Sequence, residues 1–137
     1  MGCSPAVRLG PTLKKSHIFV VLLDDDPSVL KSVGRLLSSV DLHAELFSDP
    51  EKFLRNVRTH RPAVALVDVC MPQMSGLEVQ SRLGRISPST HVIIFTGRDD
   101  PAVRCTALNA GASAFLTKPF DDEELITAVQ LAIASTT

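Results

Sequence analysis

The chain has 137 residues, 45% of them hydrophobic and 21% charged, and a formal net charge of −1. That size and balance predict one globular domain with its own core. The lack of a basic excess argues against direct nucleic-acid binding, which needs clustered Lys and Arg.

Three cysteines, Cys3, Cys70 and Cys105, show no C-x-x-C spacing, and His17, His43, His60 and His91 are scattered. These spacings argue against a disulfide scaffold or zinc knuckle and fit a reducing cytoplasm. No apolar run reaches membrane-spanning length, and no signal-peptide pattern is present. Met1-Gly2-Cys3 hints at lipidation, but Ala6 stands where the myristoylation pattern wants Ser or Thr.

Residues 1–16 carry Pro5, Gly10 and Pro11 without periodicity, and are expected to form a loose leader. His17 to Leu23 is a continuous apolar run, hence a buried strand, and it stops on Asp24-Asp25-Asp26. Pro27 suits the first turn of a helix with Asp26 as its cap. Val29, Leu30, Val33, Leu36, Leu37 and Val40 then recur at helical spacing, which carries the helix to about Ser39. Leu42 to Phe47 alternates loosely, as a strand nearer an edge. Ser48-Asp49-Pro50 opens a second helix with Phe53, Leu54 and Val57 inward, ended by Arg61-Pro62.

Ala63 to Val67 is another unbroken apolar run, and it stops on one carboxylate, Asp68. A loop punctuated by Pro72 and Gly76 follows. Leu77, Val79, Leu83 and Ile86 mark a short helix. Thr90 to Thr96 is a fourth strand ending on a hydroxyl. Pro101 starts a helix through Val103, Ala107 and Ala110, closed by Gly111. Ala112 to Thr117 is a fifth strand ending at Lys118-Pro119. Asp121 to Glu124 loads the first turn of a last helix with acid, ahead of Leu125, Ile126, Val129, Ala132 and Ile133. Five strands alternating with five helices predict a doubly wound α/β sandwich around a parallel sheet.

Parallel strands bring their carboxyl ends to one rim, where open α/β sheets build sites. Asp24, Asp25, Asp68, Thr96 and Lys118 all fall there. Taken alone, Asp68 could merely end a strand; acid, acid, hydroxyl and amine from four strand ends indicate a site. Clustered carboxylates need a counter-charge, and their oxygens suit Mg2+. A carboxylate can act as nucleophile towards a phosphoryl group, with Thr96 and Lys118 available to its oxygens.

These motifs, Val-Leu-Leu-Asp24-Asp25-Asp26-Pro27, Leu-Val-Asp68 with Met71-Pro72-Gln-Met-Ser75-Gly76, Phe-Thr96-Gly97, Ala110-Gly111-Ala112 and Lys118-Pro119-Phe120, come in order. Together they resemble the receiver domain of bacterial two-component response regulators. The Met-Pro-x-Met-Ser-Gly phrase and Thr-Gly resemble the subgroup that often precedes LuxR-type DNA-binding domains.

The resemblance implies a flavodoxin-like (βα)5 fold with strand order 2-1-3-4-5, occupying residues 17–135 with no output domain. It implies that Asp68 accepts phosphate from a sensor histidine kinase or a histidine phosphotransfer protein. Asp25, Asp68 and the Cys70 carbonyl would hold Mg2+ directly, and Asp24 through water. Thr96 and Lys118 would bind the phosphoryl group, and Cys70 and Arg98 would modulate its lifetime. Phosphorylation would draw Thr96 inward and let Phe115 turn, reshaping the surface of residues 99–111, 112–117 and 121–133. That surface would meet an output partner, or a second copy as a homodimer. The protein would signal from the cytoplasm rather than act as an enzyme.

Three other readings compete. A haloacid dehalogenase-like Mg2+-dependent phosphatase would want an acid where Cys70 stands. A flavodoxin-like binding module would want a phosphate loop where Asp24-Asp25-Asp26 stands. A receiver acting through protein contact without phosphorylation is the minority case, because the set of acids, Thr96 and Lys118 is intact.

Overall fold

The computed structural model describes residues 19–135. The leader, the lipidation pattern and the expected start of the first strand at His17 lie outside them. Five parallel strands, β1 (Val20–Leu23), β2 (Ala44–Phe47), β3 (Val64–Asp68), β4 (His91–Thr96) and β5 (Ala114–Thr117), form one sheet in the order β2-β1-β3-β4-β5. Helices α1 (Pro27–Ser38), α2 (Pro50–His60), α3 (Gly76–Ile86), α4 (Pro101–Asn109) and α5 (Asp122–Ala134) make the crossovers. The flavodoxin-like fold and strand order expected above are therefore those observed.

The strands are apolar throughout because both faces are covered. In β1, Val20 and Leu22 join the core beneath α1 and α5, with Leu37, Leu125 and Val129. Val21 and Leu23 face the opposite core beneath α2, α3 and α4, with Phe53, Val79, Leu83 and Ala107. This two-residue alternation repeats through β3 and β4. Phe53 and Phe95 are among the largest fully buried side chains. Burying one such ring contributes about 1.5–3 kcal/mol.

Side-chain caps start the helices. Asp26, Asp49, Ser75 and Asp100 each accept from the backbone N–H two residues on, as short oxygen-bearing residues do at an N-cap. Asp121 and Glu124 form a capping box at α5. Gly111 closes α4 at φ 99°, a conformation open to glycine.

Several boundaries differ from the sequence reading. β2 starts at Ala44 rather than Leu42, because Leu42 N–H bonds back to Leu37 as the chain leaves α1. β5 starts at Ala114 rather than Ala112, whose N–H is taken by Ala107. Ala110, expected within α4, lies beyond that helix and is exposed. Among the described residues, no helix is long and apolar enough to cross a membrane.

Candidate functional site

The register of the sheet assembles the rim. Leu23 pairs with Val67, so Asp24 and Asp68 leave neighbouring strands side by side. Asp24 N–H extends the ladder to the Phe47 carbonyl at 3.1 Å, and Val69 N–H does the same to Phe95 at 2.9 Å. Across the next pair, Lys118 N–H reaches the Thr96 carbonyl at 2.7 Å. The Lys118–Pro119 peptide bond is cis.

Asp24, Asp25 and Asp68 each offer a carboxylate oxygen, and these lie within 4.8 Å of one another. Asp24 is fully buried, Asp68 nearly so, and Asp25 is exposed. Lys118 Nζ donates to Asp24 Oδ2 at 2.9 Å and stands 3.4 Å from Asp68 Oδ1. The other Asp24 oxygen accepts from Asp26 N–H at 2.9 Å. Burial, then the charge of Asp24, raises the Asp68 carboxyl from 3.8 to about 6, against the lowering influence of Lys118. Burial opposes the charge on Lys118. Its hydrogen bond to Asp24 and the charges of Asp68 and Asp24 nonetheless hold its ammonium above the usual lysine range.

The residues fit a hard divalent cation. The donors are all oxygen, three carboxylates share one small volume, and buried Asp68 Oδ1 has no hydrogen bond. Both oxygens of Asp24 are engaged by protein groups, whereas Asp25 opens to the cleft. That cleft has a volume of about 580 Å3 and is lined also by Pro27, Gly97, Arg98 and Cys70.

Thr96 is buried at the end of β4. Its Oγ1 accepts from Arg98 N–H at 3.2 Å and lies 3.8 Å from Cys70 Sγ. Cys70 and the Arg98 side chain are exposed at the mouth. Phe115 is half-buried and packs with the α2–α4 side of the sheet. By strand alternation Thr96 lies on that same face, with Ile94 opposite Phe115 in the register. The expected site residues therefore share one rim, apart from Phe115, which sits behind Thr96.

Sequence reasoning missed three features. It left Lys118 without its partner Asp24. It did not see Arg104, whose guanidinium lies 5.4 Å from the Phe115 ring centroid. It also missed buried Gln80, whose Nε2 donates to the Ala107 carbonyl at 2.9 Å and ties α3 to α4. Gln80 does follow Gly76 and Val79 on one helical stripe, a signal that its polarity concealed.

Residues 20–130 match the response regulator receiver domain family. The chain is 38% identical to response regulator protein TodT of Pseudomonas putida over 114 residues, 83% of this chain and 50% of TodT. Among solved structures it is similar to a LuxR-family two-component response regulator from Aurantimonas sp. SI85-9A1 (TM-score 0.79, 26% identity, 85% of each chain). It is similar also to the BeF3-activated receiver domain of DrrB, from Thermotoga maritima (TM-score 0.77, 29% identity, 85% of this chain and 97% of that one). The chain spans about half the length of the curated relatives it matches. With that match across most of its length, and with strand ends that bring acids, a hydroxyl and an amine to one rim, the chain belongs to the response regulator receiver domain family of two-component phosphorelay signalling.

Proposed function

We propose that this chain is a phosphoacceptor that takes a phosphoryl group onto Asp68 from the phosphohistidine of a sensor histidine kinase or a histidine phosphotransfer protein. The observation that carries this reading is the convergence of the Asp24, Asp25 and Asp68 oxygens beside the Lys118 ammonium. An Asp68 oxygen attacks phosphorus. The P–N bond breaks, its electron pair stays on the imidazole nitrogen, and a P–O bond forms. Asp25, Asp68 and the Cys70 carbonyl would hold Mg2+, and Asp24 would act through water. When bound, Mg2+ would offset the charge on the phosphoryl oxygens.

The chain's own residues do the rest. With a carboxyl at about 6, Asp68 is mostly ionised at neutral pH and able to attack. Lys118 is poised to pair with a phosphoryl oxygen, and Thr96 has a hydroxyl proton to donate to another. Arg98 and Cys70, at the mouth, govern access of water to the acyl phosphate and so its lifetime. Movement of Thr96 frees space for Phe115, which alters the face made by α4, β5 and α5. Two states near balance, biased by such contacts, suffice for a switch.

The output is proposed as a LuxR-type DNA-binding partner. The Met71-Pro72-Gln73-Met74-Ser75-Gly76 phrase and the likeness to a LuxR-family regulator support it. The α4–β5–α5 face would serve a homodimer, and the setting would be cytoplasmic. Incubation with acetyl phosphate and Mg2+, read by intact mass, tests the central claim. One added phosphoryl group is expected on the parent, and none on Asp68→Asn or in excess chelator. Equal labelling of parent and variant would move the acceptor elsewhere.

A further inference from the structure

On the other side of the sheet from α1 and α5, the facing stripes of α2 and α3 enclose a groove of about 500 Å3. Leu54 and Ile86 give it an apolar floor, and Arg55, Arg58, Arg82 and Arg85 line it, against the single carboxylate of Glu51. Four guanidiniums and one carboxylate leave a local excess of +3. Arg82 is already engaged, 3.6 Å from Glu51 and 3.0 Å from Glu78. Among the described residues, Arg55, Arg58 and Arg85 form no ion pair, and all three are exposed.

Helix dipoles account for part of this charge. Arg58 and Arg85 sit in the last turns of α2 and α3, where cations are favoured. That reason does not reach Arg55, in the middle of α2, or explain why the basic residues of both helices line one cavity. The last turns lead into β3 and β4 at their amino ends, so Arg58 and Arg85 lie towards the rim opposite Asp68.

We propose that the groove between α2 and α3 binds a small polyphosphate anion through Arg55, Arg58 and Arg85. A guanidinium presents a planar fork of donors that matches phosphoryl oxygens two at a time. Three unpaired forks on two helices call for a ligand with more than one phosphoryl group. The volume is that of a small-molecule site. A nucleic acid fits less well: the guanidiniums line one groove of about 500 Å3 between two helices, the size of a small ligand rather than of a duplex backbone.

The test is an amide NMR titration of the whole chain without added divalent cation, using sodium triphosphate in one arm and ATP in the other. Both arms are expected to shift amides of residues 54–61 and 82–87, with affinity falling as salt rises. Tighter binding of ATP would assign the anion to a nucleotide source, and equal binding to a free polyphosphate. Either result supports the proposal. The exposed double variant Arg58→Ala/Arg85→Ala, shown by its melting curve to be folded, is expected to bind at least about tenfold more weakly, having lost two charge-assisted contacts. Asp68→Asn is expected to bind as the parent does, which separates this site from the phosphoacceptor. Shifts confined to Asp24, Arg98 and Lys118, unchanged binding by the double variant, tighter binding of duplex DNA, or a dimer that triphosphate dissociates would each overturn the proposal.

Discussion

Lys118 Nζ lies 2.9 Å from Asp24 Oδ2, joining a lysine side chain that is 23% exposed to a carboxylate that is fully buried. The pair spans 94 residues of sequence and ties the end of β1 to the end of β5. A buried carboxylate deprived of its counter-charge is expensive, on the order of 3 kcal/mol when one partner is deleted. Lys118→Ala is therefore expected to lower stability by about that much, as well as to reduce phosphoryl uptake. Urea denaturation measures the first effect. A variant that unfolds at the parent's midpoint would show that the lysine has no structural share.

The raised carboxyl of Asp68 makes stability depend on pH in a definite direction. The folded state holds this proton more tightly than the unfolded chain does, between the ordinary value of 3.8 and about 6. The group's contribution is thus fully present below 3.8 and is lost as pH rises through 6. At neutral pH the ionised side chain costs on the order of 1–3 kcal/mol. Asp68→Asn is expected to be more stable than the parent above about pH 6 and to lose that advantage below about pH 4. Added Mg2+ is expected to stabilise the parent more than the variant. Denaturation midpoints across that pH range decide it, and a constant offset would contradict the assignment.

The fold could be read because each strand buried on two faces leaves an unbroken apolar run. Val20 to Leu23 and Val64 to Val67 are fully buried, as such runs require. The rim residues could be read because parallel strands deliver their last residues to one edge. Strand starts were less readable. Leu42 and Ala112 are apolar and near the core, yet their N–H groups complete the preceding helix ends rather than a ladder. The Asp24–Lys118 bond and the stacking of Arg104 on Phe115 depend on tertiary placement, which periodicity does not encode. Gln80 was hidden because a polar residue on an inner helical stripe carries no apolar signal, although its amide is satisfied in part by the Ala107 carbonyl.

Gly76 begins α3 where the chain folds back onto β3, and its N–H donates to the Val69 carbonyl at 2.9 Å. A methyl group there would overlap the Asp68 carbonyl oxygen and come to 2.7 Å from Val69 Cα. Those are backbone atoms that cannot swing aside as a side chain would. Gly76→Ala is expected to cost about 1–3 kcal/mol through overpacking and to displace the loop that carries Cys70. Thermal unfolding together with acetyl-phosphate labelling checks both halves. A variant as stable and as readily labelled as the parent would mean the loop accommodates the methyl group without consequence.

Arg104 lies over the half-buried Phe115 ring at 5.4 Å and donates to Asp99 Oδ1 at 2.9 Å. Asp99, Arg104 and Phe115 thus form a brace from the β4–α4 loop, across α4, to β5. An exposed cation–π contact contributes about 0.5–1 kcal/mol. If the ring exchanges between two positions, removing the contact shifts that balance by about two- to fivefold towards the position that Arg104 does not cover. Arg104→Ala is therefore expected to move the Phe115 ring resonances of the unphosphorylated protein part of the way to those seen with beryllofluoride and Mg2+. Arg104→Lys, which keeps a cation above the ring, is expected to restore much of the parent spectrum. Resonances indifferent to both substitutions, in a parent that does respond to beryllofluoride, would remove Arg104 from the switch while leaving Phe115 in it.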